Sequence, residues 1–113
     1  MANLFMVLLG CRPPGRFTEQ HDIYFGVGNE LLDLKKGIIQ SWPEAKGKIH
    51  IDAWREVAFV DEYQISVEEH PQENRKLNLY FINLGGYHPN LFGEPHHMML
   101  TVAENKTSAI AKA

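Results

Sequence analysis

The sequence predicts an α+β fold with a mixed or mostly antiparallel sheet, helices on one face, and internal duplication of a β-loop-β-α-β-β unit. The first observation behind this prediction is a repeat: residues 4–25 recur without a gap at 79–100, with seven identities in 22 positions. Chance would give about one or two. The identical pairs of the repeat are Leu4/Leu79, Leu9/Leu84, Gly10/Gly85, Pro14/Pro89, Phe17/Phe92, Glu19/Glu94 and His21/His96. The second observation behind the predicted fold is the order of strand-like and helix-like apolar patterns.

The first repeat opens with a strand at Leu4–Leu9, because a continuous apolar run ended by Gly10 is typical of a strand buried on both faces. A proline-rich loop separates it from a second strand at His21–Val27. Apolar residues at helical spacing then predict a helix over Asn29–Trp42, with Asn29 as its N-cap and a proline directly after it. These elements account for the β-loop-β-α part of the unit.

The remaining patterns predict a hairpin, two further strands and a C-terminal helix. Alternating polar and apolar residues indicate strands with one solvated face. The predicted bounds are Ile49–Val57 and Tyr63–Glu69 for the hairpin, Leu77–Leu84 and Met98–Ala103 for the strands, and 106–113 for the helix.

The offset of the repeat predicts that the second copy is incomplete. We expect a single domain, 1–113, consisting of a first repeat unit at 1–75 and an incomplete second unit at 76–113. A second helix would fall at about 104–117 by the same offset. We therefore expect the chain to be a fragment of a longer gene product. The uncovered sheet edge of an incomplete copy favours self-association as a homodimer.

Composition narrows the partners and the compartment. Eleven scattered Lys and Arg with a net charge of −3 argue against nucleic acid and anionic membrane, which require a concentrated basic surface. The single Cys11 excludes an intrachain disulfide and fits a reducing cytoplasm. The short apolar run before Cys11 lacks the basic start of a secretory signal.

Each repeat also carries the pattern Phe-x-Glu-x-His. Residues two apart in an extended chain point to the same face, so each Glu would lie beside its His. A carboxylate orients an imidazole, which serves either a general base or a metal-bound histidine. A pocket collecting several such groups would suit a divalent metal such as zinc. The ligand or metal candidates are Glu19, His21, His50, Asp52, Glu94 and His96.

A structural interpretation competes with the metal site. Each Glu/His pair would be a clasp that fixes its loop to the sheet, with Phe17 and Phe92 filling the core. Duplication would copy such a clasp, and no HExxH or CxxC spacing supports metal binding. The clasp is the favoured interpretation of the sequence.

Arg12 and Arg16 flank Pro13-Pro14-Gly15 and are candidates for binding an anion in bidentate fashion. The loop lacks the Gly-x-x-x-x-Gly-Lys-Ser/Thr phosphate cradle. Cys11, at the end of the first strand, is expected to be a packed thiol because no spacing ties it to a histidine.

Four motifs occur in order: LFMVLLG near the N-terminus, TEQHD at Thr18–Asp22, HIDAW at His50–Trp54 and LYFINLGGY at Leu79–Tyr87. Together they resemble a small bacterial domain-of-unknown-function family whose members carry this module once or twice. The resemblance implies a two-copy organisation and assigns no catalytic residue.

Three functions remain open from the sequence. The first is a non-catalytic binding or protein-interaction module, indicated by the duplicated scaffold without a catalytic motif. The second is a metal-dependent enzyme that uses the repeated Glu-x-His loops. The third is a structural N-terminal portion of a longer two-repeat protein.

Overall fold

A computed structural model describes residues 2–70 and 75–113. The chain divides into two compact units: Met1–Ala58 with Ile65–Glu68, and Phe59–Gln64 with Glu69–Ala113. The described strands are β1 (Asn3–Cys11), β2 (Gln20–Gly28), β3 (His50–Glu56), β4 (Phe59–Val60), β5 (Tyr63–Gln64), β6 (Asn78–Gly85) and β7 (His96–Ala103); the α-helices are α1 (Lys35–Ser41) and α2 (Lys106–Ala111). Antiparallel sheets with a few helices confirm the predicted α+β class.

The first unit is built on a three-stranded antiparallel sheet in the order β2-β1-β3. Phe5, Val7 and Leu9 of β1 are buried and pack with Leu34 and Ile38 of the helical segment. Because successive side chains of a strand point to opposite faces, the even-numbered residues of β1 project away from the helix. That second face carries Gly10, and we call it the Gly10 face.

Strand β3 contains one extra residue, Asp52, which has no partner in β1. Leu9 pairs with Ile51, but Leu8 pairs with Ala53, so two residues of β3 span one step of β1. This is a β-bulge, which bends the strand and re-aims its side chains.

The bulge shifts the alternation of β3 by one position. His50, before the bulge, belongs to the Gly10 face, whereas Trp54 after it pairs with Val7 and joins the helix face. The Trp54 ring lies 6.0 Å from the Phe5 ring, centroid to centroid, in a tilted arrangement. In an unbroken strand, His50 and Trp54 would share a face.

The predicted start of the first helix is wrong. A 3-10 turn at Leu31–Leu34 precedes the α-helix, and its N-cap is Glu30 rather than Asn29. The Asp33 carboxylate accepts hydrogen bonds from the backbone N–H groups of Asn29 and Glu30, each at 3.0 Å. Asp33 therefore fixes the entry to the helix one residue later than Asn29 would have done.

The predicted hairpin between Ile49–Val57 and Tyr63–Glu69 is also wrong. Strand β3 pairs with β1, and β5 is only two residues long and pairs with β4. Asp61 and Glu62, which join β4 to β5, both have positive φ, at 51° and 69°. Two such residues in succession form a tight hairpin turn, so the chain folds back at once onto β4.

The second unit contains an antiparallel hairpin of β6 and β7. Gly85 pairs with His96, as Gly10 pairs with His21 in the first unit. Each residue of the second pair lies 75 positions after its counterpart in the first, which is the offset of the repeat. Ile82 packs with Ala103 and with Ala109 of α2. The shared register agrees with the repeat, while a duplication of the whole unit stays a prediction.

Asp61 ties the β4–β5 turn to β7 within the second unit. Its carboxylate accepts hydrogen bonds from the Thr101 hydroxyl at 2.6 Å and the Val102 N–H at 2.8 Å, and Lys112 Nζ lies 3.9 Å away. The Thr101 and Val102 bonds, followed by the charge of Lys112, lower the pKa of Asp61 below 3.8, against a smaller opposing effect of desolvation. The ionised carboxylate therefore stabilises this unit.

No helix within residues 2–70 and 75–113 is long and apolar enough to cross a membrane.

Candidate metal centre

Two histidines flank Gly10 on the sheet of the first unit. Gly10 pairs with His21 of β2 on one side and with His50 of β3 on the other. Paired residues of an antiparallel sheet project from the same face, with Cβ atoms about 5 Å apart. Both imidazoles therefore rise from the Gly10 face, one on each side of a residue without a side chain.

Two carboxylates lie between these imidazoles. Asp52, the bulge residue, places Oδ2 2.9 Å from His21 Nε2 and Oδ1 3.1 Å from His50 Nε2. Glu19, which directly precedes β2, contacts His50 Nε2 through Oε1, and the same oxygen lies 3.6 Å from His21 Nε2. Each carboxylate thus reaches both imidazoles.

The cluster sits directly above the Gly10 backbone. A Cβ atom at Gly10 would overlap Glu19 Oε1 and His50 Nε2 and would lie 2.7 Å from Asp52 Oδ2. Gly10 does not have positive φ. Space, and not backbone conformation, is therefore what requires glycine here.

The spacing of the donor atoms fits a small tetrahedral ion. Glu19, His50 and Asp52 each offer an atom within 4.8 Å of the others. Bonds of 2.0–2.2 Å to a tetrahedral Zn²⁺ separate neighbouring ligand atoms by about 3.3–3.6 Å. The separation of 3.6 Å lies at the upper end of that range, those of 2.9 and 3.1 Å are shorter, and Glu19 Oε1 and His50 Nε2 are closer still, so the donor atoms would have to spread apart around an ion. The four side chains are 32–53% exposed, so an ion from solvent can reach them.

The predicted counterpart in the second unit is simpler. Glu94 lies over Gly85 as Glu19 lies over Gly10, and its Oε2 is 4.0 Å from His96 Nε2. The other ring nitrogen of His96 is 3.1 Å from Asn83 Oδ1. Across residues 2–70 and 75–113, three or more candidate ligands gather at one place, in the first unit.

The six candidates from the sequence therefore divide into two sets. Glu19, His21, His50 and Asp52 come together in the first unit, and Glu94 and His96 lie in the second. Phe17 and Phe92 were expected in the core, which is wrong: both are fully exposed, because each lies within the loop that precedes the second strand of its pair.

The remaining candidates lie on the first loop. Arg12 and Arg16 are exposed and line a cavity that also receives two lysines from another loop. Cys11 is a buried free thiol, 1% exposed.

Sequence reasoning missed the part that Gly10 plays and the bulge at Asp52. The identity of Gly10 and Gly85 in the repeat, each paired across the strands with a histidine, was the signal available for the first.

Comparison with known proteins identifies a family model and similar solved structures. The sequence model of a family described as Domain of Unknown Function (DUF1543) matches residues 16–67, which include all four residues of the cluster. The chain is also similar to the crystal structure of a protein Il1583 from Idiomarina loihiensis, with 30% identity and a TM-score of 0.81. That match covers 100% of this chain and 70% of the other. No curated protein matches.

Proposed function

The chain belongs to the DUF1543 family, and from that premise we propose that its first unit is a non-catalytic binding module for a divalent transition-metal ion, with zinc as the best fit. In this proposal His21 and His50 bind the ion through Nε2. Glu19 and Asp52 each bind it through a carboxylate oxygen. Gly10 leaves the space in which the four groups converge.

One observation carries the proposal: three short nitrogen–oxygen contacts and a fourth of 3.6 Å share only two nitrogen atoms. His21 Nε2 faces both carboxylates, and so does His50 Nε2. Each Nε2 carries at most one proton, so hydrogen bonds can serve no more than two of the four contacts fully. A cation at the centre would instead be attracted to all four donor atoms.

Charge and donor type indicate the class of ion. Two carboxylates and two neutral imidazoles carry a net charge of −2, which one divalent cation neutralises. Mixed nitrogen and oxygen ligands suit zinc and its neighbours in the first transition row, whereas magnesium and calcium prefer oxygen alone. Zinc accepts this ligand set in tetrahedral geometry.

The number of protein ligands favours binding over catalysis. A catalytic zinc typically has three protein ligands and keeps one position for water or substrate, whereas a structural zinc is closed by four. Glu19, His50 and Asp52 each bring a donor atom within 4.8 Å of the others. In the proposal His21, whose Nε2 lies 2.9 Å from Asp52 Oδ2, is the fourth ligand and takes the position that water would otherwise hold. The metal-dependent enzyme is the alternative, and it would require one carboxylate to leave the ion.

The experiment is calorimetric titration of Zn²⁺ into metal-free protein. We expect one ion per chain, and we expect His21→Ala and His50→Ala each to weaken binding by more than about 100-fold, since changes that only disturb ligand orientation cost 10–100-fold. His96→Ala is the matched control, because His96 occupies the equivalent place in β7. It should bind like the wild type.

Cobalt substitution tests the geometry independently, because tetrahedral Co²⁺ absorbs visible light far more strongly than octahedral Co²⁺. No heat of Zn²⁺ binding in the wild type would overturn the proposal and leave the hydrogen-bonded clasp. Equal weakening by His96→Ala would also contradict it. An octahedral cobalt spectrum with displaceable water would support the enzyme alternative instead.

A further inference from the structure

A second site lies in the first unit, in a cavity of about 350 Å³ between two loops. One wall is the loop after β1, with Arg12 and Arg16, and the other is the loop before β3, with Lys46 and Lys48. Nothing in the proposed metal module uses these residues. We propose that this cavity binds a small phosphorylated molecule through its phosphate group.

The charge of the lining is the first argument. The residues lining the cavity are Arg12, Pro13, Pro14, Gly15, Arg16, Ala45, Lys46 and Lys48. Four of the eight are cationic and none is acidic, in a chain whose net charge is −3. Within the described parts of the chain, none of the four cations forms an ion pair. An anion entering the cavity therefore meets four positive charges that no protein carboxylate neutralises.

The two walls are held by tight turns, so the cationic groups start from defined backbone positions. In the first wall, Arg16 N–H donates to Pro13 O at 3.2 Å, and Gly15 has a φ of 80°. Pro14 and Gly15 thus occupy the two central positions of a type II turn, the places that these residue types favour. The loop that carries both arginines is therefore rigid near the cavity.

The second wall is a turn of a different kind. Lys48 N–H donates to Ala45 O at 3.0 Å, and the two residues between them, Lys46 and Gly47, both have positive φ, at 51° and 77°. Two successive left-handed residues define a type I′ turn. Lys46 therefore lies within this turn and Lys48 ends it, so one bend of the backbone carries both lysines at the cavity.

Donor chemistry and size select the ligand. Guanidinium groups bind phosphate oxygens in bidentate fashion, and lysines add point charges. A volume of about 350 Å³ is at the lower end of small-molecule sites, which fits a compact ligand better than a polymer. The cavity also lacks aromatic side chains, on which nucleic-acid bases commonly stack.

The test uses the metal-free 113-residue chain, with inorganic phosphate and pyrophosphate as probes at constant ionic strength. Calorimetry gives the affinity, and amide chemical shifts in NMR locate the probe. We expect shifts at the amides of Arg12, Gly15 and Arg16 and at those of residues 45–48. Arg12→Gln and Arg16→Gln should each weaken pyrophosphate binding by about tenfold or more, because hydrogen bonds between charged groups are the strong ones.

Arg55→Gln is the matched control, since it removes the same charge from an exposed residue of β3 that does not line the cavity. It should bind like the wild type. Equal weakening by Arg55→Gln would assign binding to overall charge and overturn the proposal. Absence of phosphate and pyrophosphate binding, or tighter binding of citrate than of pyrophosphate at the same ionic strength, would overturn it as well. The Zn²⁺ titration of the same variants keeps the two sites separate, because loss of metal binding in His21→Ala should leave pyrophosphate affinity unchanged.

Discussion

Replacing Gly10 with alanine is the most selective perturbation of the proposed metal site. The added Cβ would lie 2.7 Å from Asp52 Oδ2, and an ordinary contact is about 3.4 Å or longer, so that oxygen must retreat by about 0.7 Å. Glu19 Oε1 and His50 Nε2 would have to move farther, because the Cβ overlaps them. Metal–ligand distances tolerate only about 0.2 Å. Three of the four ligands would therefore leave their positions.

We expect Gly10→Ala to weaken Zn²⁺ binding by at least 100-fold, which corresponds to about 2.8 kcal/mol. The metal-free protein should change little. Alanine at a position with compatible φ stabilises a protein by about 0.4–1 kcal/mol through the unfolded state, while the exposed ion pairs that it disturbs contribute about 0–1 kcal/mol. We expect the free energy of unfolding without metal to stay within about 1 kcal/mol of the wild type.

Two assays check this prediction: calorimetric Zn²⁺ titration, and urea unfolding with and without Zn²⁺. Zinc at 100 times its dissociation constant should stabilise the wild type by about 2.7 kcal/mol and the variant by far less. Gly86→Ala is the control, because a Cβ there would meet its nearest atoms at 3.8 and 3.9 Å. If Gly10→Ala binds Zn²⁺ as tightly as the wild type, the ligands do not converge above Gly10 and the reasoning fails.

Four further predictions concern stability and assembly. The lowered pKa of Asp61 means that its ionised form stabilises the folded state. Its contribution to the free energy of unfolding should be complete above about pH 3.8 and lost as pH falls through the lower pKa of the folded state. Urea unfolding at a series of pH values should show this loss of stability in the wild type and not in Asp61→Asn. Leu9→Ala should cost about 2–5 kcal/mol in urea unfolding because the side chain is 1% exposed, whereas Leu32→Ala, at 70% exposed, should stay within about 0.5 kcal/mol. Asn105→Ala should destabilise α2 by about 0.5–2 kcal/mol, seen as faster hydrogen exchange, because Asn105 Oδ1 accepts the Ser108 N–H at 2.8 Å. The homodimer expected from the sequence should give twice the chain mass in light scattering.

Each of these has a result that would contradict it. Identical pH profiles for the wild type and Asp61→Asn would refute the role of that carboxylate. Equal costs at Leu9 and Leu32 would contradict the packing of the first unit. Unchanged hydrogen exchange in Asn105→Ala, with Asn105→Asp as the capping control, would show that Asn105 does not stabilise α2. A monomer at high concentration would contradict the predicted homodimer.

The sequence predicted the positions of the strands well because their signals are local. The apolar run at Leu4–Leu9 and the repeated segment at Leu77–Leu84 each correspond to a long strand, Asn3–Cys11 and Asn78–Gly85. The α+β class follows from the order of the strands and helices.

The two errors have different origins. Tyr63–Glu69 alternates like a strand, yet Asp61 anchors the preceding turn to β7 and only two residues pair. That long-range contact has no signature within Tyr63–Glu69. The error at Asn29 is local: Asn29 is a good N-cap by type, but its N–H donates to the carboxylate of Asp33, four residues along the chain.

The candidate site was predictable as a set of residues but not as a geometry. His21, His50 and Asp52 stood out by type, and Glu19 by its repeat partner. What joins them is the pairing of Gly10 with a histidine on each side, and a pairing between β1 and β3 spans 40 residues. No local pattern specifies which strand becomes that neighbour.

The extra residue in β3 sets which face of the sheet each side chain from His50 to Trp54 occupies. Read as a simple strand, His-Ile-Asp-Ala-Trp would send its first, third and fifth side chains the same way, and either the imidazole or the indole would be misplaced. Because of the bulge, one short strand places the candidate ligands on the Gly10 face and the Trp54 ring against Phe5 on the helix face. Deleting Ala53 would close the bulge, with Asp52 paired opposite Leu8, while His50 stayed opposite Gly10 and Trp54 stayed opposite Val7. The loss would therefore appear in metal affinity, through Asp52, before it appeared in folding. For any relative aligned on this motif, the length of the segment carries as much information as the identity of its histidine.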